Sequence, residues 1–248
     1  MSNHKWVIKV INTIFFDLDG TLLPMDQDAF IKYYAHGLME KCLPVFKERT
    51  RELILVLMKS IEIMGKNDGS KTNEEAFWEY FLPIINMKRE EIEPFLSSFY
   101  DKEFKIIMNA CSPTPKANYV IKTLKEKGYR VVLTTNPYFP KIATWNRVKW
   151  AGMDPNDFEF ITVYENSSFC KPNVKYYEEV ISKLNLKKEN ILMVGNDVLE
   201  DCVIQSIGIP CYLIKDCLIN NKNLPLDAKY QGNIDDFVKF VDGLPNII

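Results

Sequence analysis

The sequence is poor in histidine, with only His4 and His36 among its 248 residues. A Ser-His-Asp triad or a multi-histidine metal site needs a histidine in a central role, so both kinds of site are disfavoured. We expect His4 to lie in a frayed terminus, and the helical pattern around His36 predicts a surface or packing position. The six cysteines include no C-x-x-C pair, which argues against a zinc site of the usual spacing. We interpret them as reduced thiols of a cytoplasmic protein.

The chain also lacks a strong charge of either sign and any long apolar run. Its 31 Lys and Arg nearly balance 33 Asp and Glu, so it offers no basic field for nucleic acid and no polybasic patch for a membrane. No apolar stretch approaches the ~20 residues of a membrane-spanning helix, and residues 1–11 lack the apolar centre of a signal peptide. We therefore expect a soluble, cytoplasmic protein with a small-molecule partner, and the sequence leaves its oligomeric state open.

Helical spacing dominates residues 24–110. Four helices are predicted there, over residues 28–46, 50–64, 72–85 and 88–102. The polar loop 65–71 separates the second helix from the third. Lys66 or Lys71 in this loop would be placed to contact an anionic substrate, although a solvated turn is an equally good interpretation.

The remaining sequence alternates between strand and helix patterns. A short apolar run, Thr13–Phe16, predicts a buried strand, and it precedes the helical segment. After residue 111 the predicted strands are 130–135, 158–163, 190–194 and 211–214, separated by helices at 115–127, 140–150, 174–184 and 199–207, with a last helix at 234–241. This alternation predicts an α/β fold with a parallel sheet covered on both faces. Residues 1–23 and 111–248 would form this core, and residues 24–110 an inserted all-helical domain.

Four short signals lie at the predicted junctions between strands and helices. They are Asp17-Leu18-Asp19-Gly20-Thr21, Thr134-Thr135-Asn136, Lys171-Pro172, and Gly195-Asn196-Asp197 followed by Asp201. Each is weak alone, since an Asp-x-Asp-Gly-Thr sequence is usually an ordinary turn and a lone Thr-Asn or Lys-Pro carries no information. All four in this order, each at such a junction, favour a catalytic interpretation.

In a parallel sheet these junctions converge on one edge, so Asp17, Asp19, Asp197 and Asp201 would crowd one site. Unpaired carboxylates so close together repel one another, and their pKa values rise. A Mg²⁺ ion, which prefers hard oxygen ligands, would relieve the repulsion. Lys171 adds positive charge, and the backbone N–H groups of residues 18–21 would cradle a phosphate. These are the parts that phosphoryl transfer requires.

With these residues the chain resembles the haloacid dehalogenase-like (HAD) hydrolase superfamily. Residues 15–22 look like its first motif, residues 132–136 like the second, residues 171–173 like the third, and residues 194–201 like the fourth. The helical insertion between the first two motifs is similar to the cap of the phosphoglycolate phosphatase-like branch. The resemblance implies a Rossmann-like parallel sheet core.

The resemblance also implies a Mg²⁺-dependent phosphatase that hydrolyses small phosphate monoesters through an aspartyl-phosphate intermediate. Asp17 would be the nucleophile and a metal ligand. Asp19 would protonate the leaving group, then activate water, and would touch the metal through its main-chain carbonyl. Thr135 would bind the phosphate, and Lys171 would stabilise the phosphoryl group. The other implied site residues are the phosphate-binding Leu18, Gly20, Thr21 and Asn136 and the metal ligands Asp197 and Asp201.

The fourth motif departs from that of many relatives, which place an aspartate directly after the glycine. Asn196 occupies that position here, so we shift the metal role by one residue, to Asp197. On a regular helix Asp201 would share a face with Asp197, whereas Glu200 would point elsewhere. The sequence leaves open which of Asn196, Glu200 and Asp201 completes the metal shell.

Three alternatives to a phosphatase are less consistent with the sequence. The true dehalogenases of the superfamily use one aspartate without magnesium, and the retention of Asp19 favours phosphate chemistry instead. A phosphomutase would use basic and histidine groups in the cap, where His36 is the only histidine. A catalytically weak phospholigand-binding protein is disfavoured because Asp17, Asp19 and Lys171 are all retained.

Overall fold

The computed structural model describes residues 11–247, so His4 and the first residues of the predicted core lie outside the described part. Within this range, six parallel strands form one sheet in the order β3-β2-β1-β4-β5-β6. The strands are β1 (Thr13–Phe16), β2 (Arg130–Leu133), β3 (Phe160–Ile161), β4 (Ile191–Gly195), β5 (Cys211–Ile214) and β6 (Tyr230–Gly232). Strand β1 pairs with β2 on one side and β4 on the other, which places its end at the middle of the sheet.

The helices follow the predicted order. They are α1 (Gln27–Phe46), α2 (Thr50–Met64), α3 (Asn73–Ile85), α4 (Arg89–Lys102), α5 (Pro115–Glu126), α6 (Lys141–Trp150), α7 (Val174–Lys183) and α8 (Ile234–Asp242). Among the described residues, no helix combines the length and apolar character needed to cross a membrane.

Side-chain alternation along the strands builds the two faces of the sheet. Ile14 and Phe16 of β1 pack into one apolar cluster with α5 and α8, whereas Phe15 packs into a second cluster with α7. Successive residues of a strand point to opposite faces, so a four-residue apolar run such as β1 is buried on both sides. This burial confirms the predicted α/β class with a parallel sheet between helical layers.

Local capping fixes where several helices begin. Thr72 accepts a hydrogen bond from the backbone N–H of Glu75, and the Glu75 carboxylate accepts one from the N–H of Thr72, which is the capping box that starts α3. Thr114 caps α5, whose first residue, Pro115, needs no hydrogen-bond partner for its nitrogen. A cap of this type contributes about 1 kcal/mol.

Helices α1 to α4 build a third apolar cluster, around Tyr34, Leu57, Phe81 and Phe99. The cluster also contains Ala143 of α6 and other side chains from beyond residue 110, so the inserted helices pack against the flank of the sheet. A segment of 3₁₀-helix, Glu103–Ala110, leads back towards the sheet.

Three elements differ from the sequence predictions. Strand β3 covers only two residues, and β6 was not predicted at all. The helix predicted over 199–207 was wrong, because residues 198–201 form a turn and a 3₁₀-helix occupies Cys202–Ile207. Asp197 explains the turn, since its Oδ1 accepts hydrogen bonds from the backbone N–H groups of Leu199 and Glu200.

Candidate active site

Asp17 lies directly after β1, at the carboxyl edge of the sheet. Its backbone N–H donates to the carbonyl of Val194 on β4, which extends the strand pairing to the residue itself. The neighbouring strands β2 and β4 deliver Thr135 and Asn196 to the same edge. A cavity of about 390 Å³ opens there, and it lies between this edge and helices α1 and α2.

The cavity brings together six of the ten residues named from the sequence: Asp17, Asp19, Thr135, Asn136, Asp197 and Asp201. Lys171 does not line it, because its side chain is fully buried behind Asp17. Leu18, Gly20 and Thr21 do not line it either.

The Lys171 ammonium joins two of the carboxylates. Its Nζ lies 2.8 Å from Oδ1 of Asp17 and 2.6 Å from Oδ1 of Asp201. Burial lowers the pKa of Lys171, but the two carboxylates together raise it well above its usual value, so the side chain is a permanent cation. Burial also raises the pKa of Asp17 to about 7, an effect that Lys171 opposes.

Arg147 was missed by the sequence reasoning, and it holds Asp19. It lies on the buried face of α6, and its Nη1 donates to Oδ2 of Asp19. The guanidinium also lies over the Phe139 ring at 4.6 Å and donates from Nη2 to the Thr144 hydroxyl at 3.2 Å. Burial raises the pKa of Asp19, and Arg147 and then Lys171 oppose this rise.

One sequence signal could have found Arg147. The buried face of α6 carries Ala143, Thr144, Arg147 and Val148, and the helical spacing of that face calls for an apolar residue at position 147. An arginine at such a position needs an ionic partner.

The loop after Asp17 is closed by its own hydrogen bonds. The N–H of Gly20 donates to the carbonyl of Leu23, and the N–H of Thr21 donates to that of Leu18. These two groups are therefore engaged, which corrects the expectation that they cradle a phosphate. The side chain of Leu18 is buried in the apolar cluster under the sheet.

Two glycines allow this part of the site to close. Gly20 has a φ of 91°, and a Cβ there would lie 2.2 Å from Nδ2 of Asn196. A Cβ on Gly195 would lie 2.1 Å from Oδ2 of Asp201. A side chain at position 20 would push the first and fourth motifs apart, and one at position 195 would displace Asp201 within the fourth motif.

Asn196 takes part in the site directly. The Thr21 hydroxyl lies 2.8 Å from Oδ1 of Asn196 and 3.2 Å from Oδ2 of Asp17, so it bridges these two oxygens. The amide nitrogen of Asn196 donates to the carbonyl of Cys217, which fixes the oxygen towards Thr21.

The two aspartates of the fourth motif, which were predicted to bind metal, form hydrogen bonds within the protein. Oδ2 of Asp201 accepts the backbone N–H groups of Asn196 and Asp197, while its Oδ1 accepts from Lys171. Oδ1 of Asp197 is occupied by the turn described above. Within residues 11–247, no three His, Cys, Asp or Glu side chains converge closely enough to hold a metal ion.

Glu200 lines the cavity, so the prediction that it points away from the site was wrong. The prediction assumed a regular helix, whereas residues 198–201 form a turn. The carboxylate accepts a hydrogen bond from Nδ2 of Asn136 at 2.9 Å, and burial raises the pKa of Glu200 to about 7. Two buried tyrosines hold the backbone on this side of the cavity: Tyr177 donates to the carbonyl of Glu200 and Tyr176 to that of Thr135.

The two lysines considered for substrate binding lie elsewhere. Lys71 forms an ion pair with Glu79, and neither Lys66 nor Lys71 lines the cavity. The loop that carries them packs against Phe169 instead, since a Cβ on Gly69 would lie 2.2 Å from that ring. His36 is exposed on α1 beside Glu40, away from the cavity.

Comparison with known proteins agrees with this geometry. Residues 11–202 match the family model of the haloacid dehalogenase-like hydrolases. A curated relative, the glyceraldehyde 3-phosphate phosphatase of Methanothermobacter thermautotrophicus, is 24% identical over 197 residues, which are 77% of this chain and 80% of that protein.

Solved structures share the fold at low sequence identity. A HAD phosphatase from Thermococcus onnurineus has a TM-score of 0.59 and 17% identity, and the match covers 96% of this chain and 100% of that one. An L-2-haloacid dehalogenase from Xanthobacter autotrophicus has a TM-score of 0.53 and 14% identity, covering 94% and 99%. The fold is thus common to two chemistries, and the site residues must distinguish them.

Proposed function

Because the chain belongs to the haloacid dehalogenase-like hydrolase family, we propose that it is a Mg²⁺-dependent phosphatase of small phosphate monoesters. The observation that carries the proposal is the arrangement at the end of β1. Asp17 and Asp19 line one cavity, Lys171 contacts the first and Arg147 contacts the second. A dehalogenase would need the first carboxylate alone. The named activity of the curated relative supports the phosphatase assignment.

In the first step, an Asp17 carboxylate oxygen attacks phosphorus and the bond from phosphorus to the leaving oxygen breaks. Asp19 donates its proton to that oxygen, so the alcohol leaves neutral. The result is an aspartyl-phosphate on Asp17. Lys171 and the hydroxyl of Thr135 stabilise the charge on the phosphoryl oxygens.

In the second step, Asp19 removes a proton from water, which attacks phosphorus and releases inorganic phosphate. Asp17 is regenerated, and Asp19 is again protonated for the next cycle. Arg147 holds the Asp19 carboxylate in place throughout.

The side-chain oxygens of Asp17 and Asn196 fit a magnesium ion. Both are hard donors, and the Thr21 hydroxyl contacts both, so the two lie on one side of the loop. We therefore revise the assignment made from sequence: Asp17 and Asn196 would hold Mg²⁺ with the main-chain carbonyl of Asp19, Asp197 would lie beside it, and Asp201 would orient Lys171. When bound, the ion would neutralise phosphoryl oxygen charge.

We also propose that residues 24–110 act as a cap over a core formed by 1–23 and 111–248. The cavity has one wall on α1 and α2 and its floor at the sheet edge, which supports this division. A cap of this kind would exclude bulk water from the phosphorylated enzyme.

The direct test is Asp17→Asn. The variant should fold normally yet release no phosphate from a generic aryl phosphate in the presence of Mg²⁺. When the phosphate of the substrate is labelled, acid quenching of the reaction should trap no protein that carries the label. Turnover in a folded Asp17→Asn variant would overturn the nucleophile assignment. A phosphomutase would instead convert a sugar phosphate without net phosphate release, and the exposed position of His36 gives no support for one.

A further inference from the structure

The wall of the cavity opposite the carboxylates is formed by helices α1 and α2. Apart from the exposed Gln27 at the start of α1, it consists of five apolar or aromatic side chains: Phe30, Ile31, Tyr34, Met58 and Ile61. The one polar atom among them, the Tyr34 hydroxyl, lies 2.9 Å from the hydroxyl of Tyr100 and is already paired. Apart from the Gln27 amide, this wall therefore presents carbon surface to whatever part of the substrate leaves with the oxygen.

The sheet-side part of the cavity is rich in acidic side chains. Five carboxylates line it: Asp17, Asp19, Asp197, Glu200 and Asp201. No lysine or arginine from the described part of the chain lines the cavity. The two nearby cations, Lys171 and Arg147, are each at most 1% exposed in their side chains and are held behind carboxylates.

A second anionic group on the substrate would find no free partner here. Lys171 and the proposed Mg²⁺ serve the transferring phosphoryl group, and Arg147 is committed to Asp19. Two like charges about 4 Å apart repel each other appreciably at the effective dielectric of a protein surface. A carboxylate or a second phosphate on the leaving group would therefore be disfavoured.

Exposed apolar surface on the wall formed by α1 and α2 favours an uncharged, apolar leaving group. Ile31 lines the cavity and is nevertheless 55% exposed, while Phe30, Met58 and Ile61 are only half-buried. Covering these side chains with an apolar group would remove their surface from water, which favours binding of that group.

We propose that the substrate is a phosphate monoester whose leaving group is uncharged and largely apolar. The inference rests on the proposed function, because it concerns the leaving group of the same reaction. It goes beyond that function by excluding esters that carry a carboxylate or a second phosphate.

The test compares benzyl phosphate with 4-carboxybenzyl phosphate, two esters that differ in one remote carboxylate. With the full chain and Mg²⁺, kcat/KM for benzyl phosphate should be higher by about tenfold or more. Equal values, or a preference for the carboxylated ester, would overturn the proposal.

A matched pair of variants locates the effect. Met58→Lys places a cation on the cavity wall, whereas Leu55→Lys places one on the same helix at a position that is 63% exposed and outside the cavity. Met58→Lys should lower the preference for benzyl phosphate by about tenfold, and Leu55→Lys should leave it unchanged. An equal change in both variants would show that the cavity wall does not set the preference. Because each preference is a ratio within one variant, partial unfolding does not affect it.

Binding separates this inference from the proposed function. In Asp17→Asn, calorimetry should give a lower Kd for benzyl phosphate than for 4-carboxybenzyl phosphate, without any turnover. If the wild-type chain hydrolysed neither ester, the phosphatase proposal would fail, and the two Kd values would still decide the leaving-group proposal.

Discussion

Arg147 donates a hydrogen bond from Nη1 to Oδ2 of Asp19, across 128 positions of the sequence. The pair connects α6, on the flank of the sheet, to the residue that we assign as the general acid and base. Arg147 is buried, and Phe139 and Thr144 hold its guanidinium from two further directions. Asp19 is therefore fixed in position before a substrate arrives.

Arg147→Met should lower kcat by roughly 10- to 100-fold through loss of this positioning. It should also raise the pKa of Asp19, because burial would then act without its main opponent. Activation of water needs ionised Asp19, so the acidic limb of the kcat–pH profile should move to higher pH. Arg130→Met, which removes an exposed pair with Glu159, is the control and should leave the profile in place. An unmoved limb in Arg147→Met would make Arg147 a structural residue only.

Asp19→Asn should slow hydrolysis most for esters with poor leaving groups. A neutral amide donates no proton, and an alkoxide needs that proton far more than a nitrophenolate does. The ratio of kcat/KM for a nitrophenyl ester to that for an alkyl ester should rise by at least about tenfold. Equal losses for the two esters would argue against proton donation by Asp19.

Asn196→Ala should raise the magnesium requirement more than Asp197→Ala does. Asn196 has a side-chain oxygen beside Asp17, whereas one oxygen of Asp197 is used by the turn at residues 198–201. Loss of a ligand should shift half-maximal activation by roughly tenfold or more, and Asn196→Asp should shift it the other way, since a carboxylate balances Mg²⁺ better. The increase in Tm on adding Mg²⁺ provides a measurement that does not depend on activity. A larger effect of Asp197→Ala would restore the assignment made from the sequence.

Lys171→Met should destabilise the fold by about 3–5 kcal/mol, because it leaves Asp17 and Asp201 buried without a counter-charge. Loss of Lys171 raises the folded-state pKa of Asp17 further above its unfolded value of ~3.9. The part of the destabilisation that comes from Asp17 should therefore be complete above the variant's folded-state pKa and should disappear as the pH falls to about 7, the folded-state pKa of Asp17 in the wild type. Urea unfolding at several pH values measures this trend. The double variant Lys171→Met/Asp201→Asn should recover part of the lost stability. A loss of stability that does not change with pH would instead indicate that it comes from the packing of the Lys171 side chain.

The sequence determined the architecture because local patterns encode it. The apolar run of β1, the Thr72 and Thr114 caps and the spacing of helices α1 to α4 each act over a few residues. The order of strands and helices then leaves few topologies, since connections between parallel strands are right-handed. For the same reason Asp17 and Thr135 could be placed at one sheet edge without coordinates.

Only the tertiary structure decided which side chains of the site contact one another and which charged groups are buried in ion pairs. The contact between Arg147 and Asp19, the burial of Lys171 between two carboxylates and the presence of Glu200 in the cavity depend on the docking of distant segments. The turn at 198–201 replaced a predicted helix because one side chain, Asp197, captured two backbone N–H groups, and periodicity does not report such competition. The apolar wall on α1 and α2 also became visible only when the packing of those helices showed which of their apolar residues remain uncovered.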